Sequence, residues 1–368
     1  MPRLYALAAL RSVRGTHNMI FRMLFPLMLL LIGTGQSAAE QASQPVKFFR
    51  EYVELSDDQI RAIHSGKAVA KVLPSRTPDE VFVFGAVYVE STPERYLKLA
   101  SDVDALRKLP TYLAIRKFSD PPKLSDLDGF GLEKEDIKDL KDCKPGDCEV
   151  QLPSEVMDTF RQSINWSAPD RDDQVNRMAR QTALDALSRY MQGGNAALGT
   201  YRDKNHPAEV AETFQSLLSF VKALPVYLPE LHTYLLDYPK VKSGNIDSAI
   251  YWEKVNFGLK PTLRLVQVVV YRGESAAGPV LAVAQKQLYA SHYFQTALDL
   301  TVCLRDTAHP EQRGFYMITL KGSKQAGLTG FKGSIVRKKA VDKTRSSMER
   351  GLASLKQELE MESGASSH

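Results

Sequence analysis

The chain has 368 residues, 43% hydrophobic and 25% charged, with 48 lysines and arginines against 43 acidic residues. It is long enough to bury a sizeable core in one large domain or two. The positive excess sits at the start: the first 39 residues hold Arg3, Arg11, Arg14 and Arg22 and no acid, and the other 329 (368 less 39) carry 44 basic against 43 acidic residues. A near-neutral body with both signs interspersed lacks the electrostatic footprint of a nucleic-acid binder, so no nucleic-acid partner is expected.

Residues 1–39 read as a secretory signal peptide: an arginine-flanked start, an apolar run Met23–Ile32, then the small residues Ser37-Ala38-Ala39 of a cleavage site. The run is too short for a span, which needs ~20 apolar residues, and Pro26 interrupts it. Cleavage before Glu40 is expected, giving a protein that is periplasmic or extracellular. It should be soluble, since no later apolar run is long enough to span a bilayer.

In residues 40–66, Ser56 and Gln59 form a capping box for a short helix ending near Gly66. Ala68–Leu73 and Glu80–Glu90 read as a strand pair joined by a loop at 74–79, and Thr92-Pro93 opens a helix with the inner stripe Tyr96, Leu97, Ala100, Val103 and Leu106. Tyr112–Phe118 returns to strand, and 119–152 reads as irregular, with the acidic run Glu133–Asp142 as a solvated face. Within it, Cys143-Lys-Pro-Gly-Asp-Cys148 suits a disulfide across a Pro-Gly turn in an oxidising compartment, and no further zinc ligands lie nearby. Cys303, in a strand-like run, is expected as a buried thiol.

From 153 to 239 the pattern is helical. One helix follows Pro169 and carries Val175, Met178, Leu184, Leu187 and Met191; a second starts at Pro207; a third covers Pro229–Leu236. Strands resume at Ala249–Phe257, Thr262–Tyr271, Val280–Tyr289, Tyr293–Leu304 and Phe315–Leu320, with short connections that favour antiparallel order. A long helix, about Ser334–Glu358, presents Val341, Met348, Leu352, Leu355 and Leu359 on one stripe. The expected fold class is α+β. Its sheet and terminal helix come from 67–152 and 240–361, a helical block at 153–239 is inserted, and 362–368 form a disordered tail.

This order of elements, carried by Val81–Ala105 and Trp252–Lys356, resembles the START / polyketide-cyclase-like superfamily, whose helix-grip fold curls an antiparallel sheet around its last helix. The resemblance implies an apolar cavity between sheet and terminal helix, and a lipid or other hydrophobic small molecule as partner; transient membrane contact is a separate expectation. The helical block departs from the compact family pattern.

No glycine-rich phosphate loop, nucleophile elbow or His-Glu-x-x-His sequence is present, so no catalytic residue, metal or cofactor is assigned. The candidate ligand-binding residues are His292, Trp252, Phe294 and Tyr289 on the sheet, with Met348, Leu352 and Leu355 on the helix. If one strand ran through His292, the period of two would set it on the face of Leu288, Phe294, Leu298 and Leu300. Two alternatives stay open. One is a cyclase- or dehydratase-like enzyme, which needs a carboxylate converging on His292; the other is a protein-interaction module built on the helical block. Intact-mass analysis of the exported protein should find Glu40 as the first residue, and a retained leader would refute the signal peptide.

Overall fold

The stretch Glu80–Val89 is apolar at almost every position, as a strand buried on both faces must be, and all ten residues are buried. In this computed structural model, residues 44–257, 259–275, 278–305 and 313–365 are described, and they belong to one unit, 42–368. The expected signal peptide, its expected cleavage site and residues 366–368 of the expected tail lie outside the described residues.

The chain begins with α1 (Gln44–Glu51) and α2 (Asp57–His64), the latter closed by the Ser56–Gln59 capping box. Strands β1 (Val69–Leu73) and β2 (Glu80–Val89) follow. The helix expected through Leu106 is two, α3 (Pro93–Ser101) and α4 (Val103–Arg107). Asp102 splits them because its carboxylate accepts from the amides of Asp104 and Ala105 at 2.9 and 3.0 Å and caps a new helix. After β3 (Tyr112–Lys117) the chain leaves the sheet for α5 (Lys134–Leu140), α6 (Ser154–Ser163), α7 (Arg171–Gly193), the ribbon β4 (Thr200–Tyr201) and β5 (Ala208–Glu209), α8 (Val210–Phe220), α9 (Leu224–Tyr227) and α10 (Pro229–Asp237). It returns through β6 (Ile246–Val255), β7 (Thr262–Ser275), β8 (Gly278–Ala290), β9 (Phe294–Leu304) and β10 (Phe315–Gln325), and ends in α11 (Gly330–Ala365).

All but β4 and β5 form one antiparallel sheet in the order β1-β2-β10-β9-β8-β7-β6-β3. The last strand pairs with the second, Ile318 opposite Ala86, and β3 pairs with β6. The fold is therefore α+β with a large antiparallel sheet and a C-terminal helix. Helix α11 extends into the expected tail, as far as Ala365.

The acidic run expected as a solvated face is α5. Ile137 and Leu140 stand three residues apart and turn one side of the run into the core, burying Asp136 with them. The disulfide Cys143–Cys148 is present across a turn in which Gly146 takes φ +86°, and Cys303 is a buried free thiol. Among the described residues no helix is long and apolar enough to cross a membrane.

The two faces of the sheet are covered differently. Val81, Val83, Val87 and Val89 face α11 and pack with Met348 and Leu352, while Phe82 and Phe84 point the other way, toward α8 and α1. Gly85 allows α11 to approach: a Cβ there would stand 2.7 Å from Met348 Cγ and 2.8 Å from Leu352 Cδ1. Gly85→Ala should lower stability by about 1–3 kcal/mol through overpacking, and Met348→Ala in the same chain should return part of it. Urea unfolding of the two single variants and the double variant checks this, and purely additive losses would place the helix farther from the strand.

Candidate functional site

A cavity of about 470 Å³ lies on the sheet face away from α11. Its floor is sheet, because the period of two brings Leu300, Val302 and Leu304 of β9 to the same side as Ile318 and Leu320 of β10. Its walls come from two distant segments. Helix α1 and the turn that follows it supply Phe48 and Tyr52, and the turn from α8 into α9 supplies Phe220, Leu224 and Tyr227. The walls meet where the Phe48 and Tyr52 rings each pack edge-on against Tyr227, with centroids 5.7 and 5.6 Å apart. Phe220 is set in place by stacking on Phe82 at 4.0 Å. Arg76 ties α8 to the sheet by donating to the Ser216 carbonyl at 2.7 Å while pairing with Glu80. The charged residues at the cavity, Glu51, Glu54 and Lys222, are all exposed at its rim.

On the opposite face the space beneath α11 is filled by the side chains around Gly85. Beside it lies a smaller polar cavity of about 190 Å³. Glu253 and Arg264 meet there at 2.9 Å, both almost fully buried, and Asp299 pairs with Lys321. Burial pushes the Glu253 carboxyl up, and Asp299 adds to this against the pull of Arg264. The Tyr96 and Tyr112 phenols on the same cavity are also raised by burial.

The seven candidate residues do not converge. Met348 and Leu352 are buried in the α11 core with Leu355 beside them, and Trp252 is buried on the other face, edge-on to Phe130 and donating to the Asp126 carbonyl at 2.7 Å. Tyr289 packs edge-on to Tyr201, and Phe294 against Phe257. None of the seven lines either cavity. The strand does not run through His292. It lies between β8 and β9, where Tyr293 takes φ +65°, so the period-two argument does not reach it.

A carboxylate does meet His292: Asp136 Oδ2 is 3.1 Å from Nε2, and Lys260 Nζ is 2.5 Å from Oδ1. Burial alone would raise the Asp136 carboxyl, but His292 and Lys260 outweigh it and hold it below the usual carboxylate range. Nδ1 of His292 lies 3.0 Å from the Glu149 carbonyl oxygen. With both ring nitrogens facing protein acceptors, neither is turned toward a space where a substrate could sit. The arrangement clamps α5 and the cysteine loop to the β8–β9 turn.

Sequence reasoning passed over the aromatic walls, because they are assembled from residues about 170 positions apart in the chain. It also passed over Lys286, although this is the one charged residue between Pro279 and His292. Lys286 is fully buried and faces the helical segment. Its Nζ donates to the Tyr190 hydroxyl at 3.0 Å and to Asn195 Oδ1, and lies 4.5 Å from the Phe214 ring centre. No protein-family model, no curated protein and no solved structure matches the chain.

Burial pushes the Lys286 ammonium down to about 7. Between that pH and its ordinary value of about 10.4 the unfolded chain holds a proton that the folded chain does not, so this lysine makes stability rise with pH across that window; below it both states are protonated and the cost is constant. Relative to Lys286→Met, the wild-type chain should therefore gain stability from roughly pH 7 to pH 9 in urea unfolding. A difference that stays flat would mean the buried amine remains charged.

Proposed function

We propose that the chain is an exported protein that binds a hydrophobic small molecule, a lipid by class, in the apolar cavity between the sheet, α1 and the α8–α9 turn. The observation that carries this is the cavity itself: its volume of about 470 Å³ falls in the range of roughly 300–1,000 Å³ common for small-molecule sites. Its walls are aliphatic and aromatic, with charge only at the rim. Each 100 Å² of apolar ligand surface buried there contributes about 2.5 kcal/mol, so an acyl chain or ring system needs few polar contacts. The charged rim suits a ligand whose polar end stays in water.

In this reading the sheet and α11 form a helix-grip core of the START / polyketide-cyclase-like kind, supported by an antiparallel sheet with its last helix laid along one face. The ligand sits on the other face, since side chains fill the space under α11, and the helical segment earns its place by walling the cavity. Secretion to a periplasmic or extracellular site rests on the N-terminal sequence. A cyclase-like activity has less support, because His292 and Asp136 are spent on holding a turn.

Organic extraction of protein purified from its native host should release a lipid detectable by mass spectrometry, and a fluorescent fatty acid should bind the emptied protein. Val302→Trp, which fills the cavity from the sheet side, should abolish that binding and leave the circular dichroism unchanged. Absence of any bound or bindable apolar molecule, or full binding by the filled variant, would overturn the reading.

A further inference from the structure

We infer that the outward face of the first half of α11, together with the adjacent loop carrying Leu259, docks on an anionic lipid surface. Helix α11 meets the sheet through Val341, Met348, Leu352 and Leu359. At 3.6 residues per turn, the direction opposite that stripe belongs to Ile335, Val336, Lys339, Lys343 and Arg350, and all five are exposed. Lys338 and Arg345, also exposed, lie to the side of the helix nearer the buried stripe.

Residues 331–350 hold seven basic and two acidic residues, whereas 351–365 hold one basic and three acidic. The helix macrodipole favours the reverse order, so helix stability gives no reason for cations at this end. Among the described residues, none of the five exposed cations pairs with a carboxylate: Lys343 donates to the Phe257 carbonyl at 3.0 Å and Arg350 to the Ser347 hydroxyl at 3.4 Å. Of the two acids, Glu349 accepts from the Ala70 amide on the sheet side, which leaves Asp342 as the exposed one. Arg337 anchors this half of the helix by donating to the Pro78 carbonyl and the Ser75 hydroxyl, both at 2.9 Å.

Cations alone would suit any polyanion. The apolar side chains decide between them: Ile335 is 49% exposed, Val336 51% and Leu259 64%, and Lys343 joins the Leu259 loop to the helix through Phe257. A bilayer interface offers phosphates for the cations and an acyl boundary for branched side chains in one surface, whereas a nucleic acid or an acidic protein loop offers no apolar layer. The inference is independent of the ligand assigned to the cavity.

Sedimentation of the full chain with vesicles of phosphatidylcholine, alone or mixed with phosphatidylglycerol, tests it. Binding is expected to the mixed vesicles only, and to weaken with salt as the charges are screened. Lys339→Ser with Arg350→Ser should weaken partitioning roughly 30-fold, because each near-surface cation is worth about a fivefold gain. Ile335→Ser with Val336→Ser should weaken it as well, with circular dichroism and fatty-acid binding unchanged in both variants. All chains share residues 1–43, so any contribution from that stretch cancels in the comparison. No binding to mixed vesicles, equal binding to neutral ones, unaltered binding by the variants, or complete displacement of the vesicles by a soluble polyanion would each overturn the inference.

Discussion

The eight-stranded sheet carries large apolar side chains on both faces of its central strands, and neither face can be left in water. Burying each Val, Leu or Phe contributes about 1.5–3 kcal/mol, so whatever covers a face is part of the fold. Helix α11 covers one face through Met348 and Leu352, with Tyr96 of α3 beside it. The other is covered from two directions. Phe49 and Ile63 come from α1 and α2, while Phe160, Leu187 and Phe214 come from the long segment between β3 and β6. Although β3 and β6 pair directly, the segment between them is required, because Trp252, Leu263 and Val269 would otherwise face solvent.

The two coverings differ in kind, and that difference makes the cavity. One long helix lying on a strand opposite a glycine closes its face down to van der Waals contact. Short helices entering from opposite ends cannot match a twisted sheet along their whole length. Where α1 and the four-residue α9 meet, aromatic rings span the gap with a void left behind them. The result is a void with aromatic rings for walls and strands for a floor.

Charged groups in the interior fall at the joints between coverings and sheet. Lys286 points from β8 into the bundle, where the Tyr190 hydroxyl, Asn195 and the Phe214 ring receive it. Asp136 joins α5 to Lys260 and His292. Buried pairs of this kind add little net stability when complete and cost several kcal/mol when one partner is lost. They act as checks on assembly: a displaced covering would strand a charge.

Much of the local architecture was legible in the chain. Capping residues placed the start of α2 and α3, runs rich in valine and aromatic residues placed the sheet strands, and the Pro-Gly spacing joined Cys143 to Cys148, because each of these signals is made by residues close together in sequence. The acidic run misled for the same local reason, since its charges outnumber the two apolar residues that make α5 buried. The site was not legible. Strand parity could say that Leu300, Val302 and Leu304 share a face, but not which covering would meet them, nor that Phe48 and Tyr227 would close over them. His292 looked like a cavity residue only as long as a strand was drawn through it, and Tyr293 turns the chain there. Local preferences thus determined the helices, strands and disulfide, whereas tertiary packing alone decided where space was left empty, because a void is set by the fit between distant surfaces and not by any one of them.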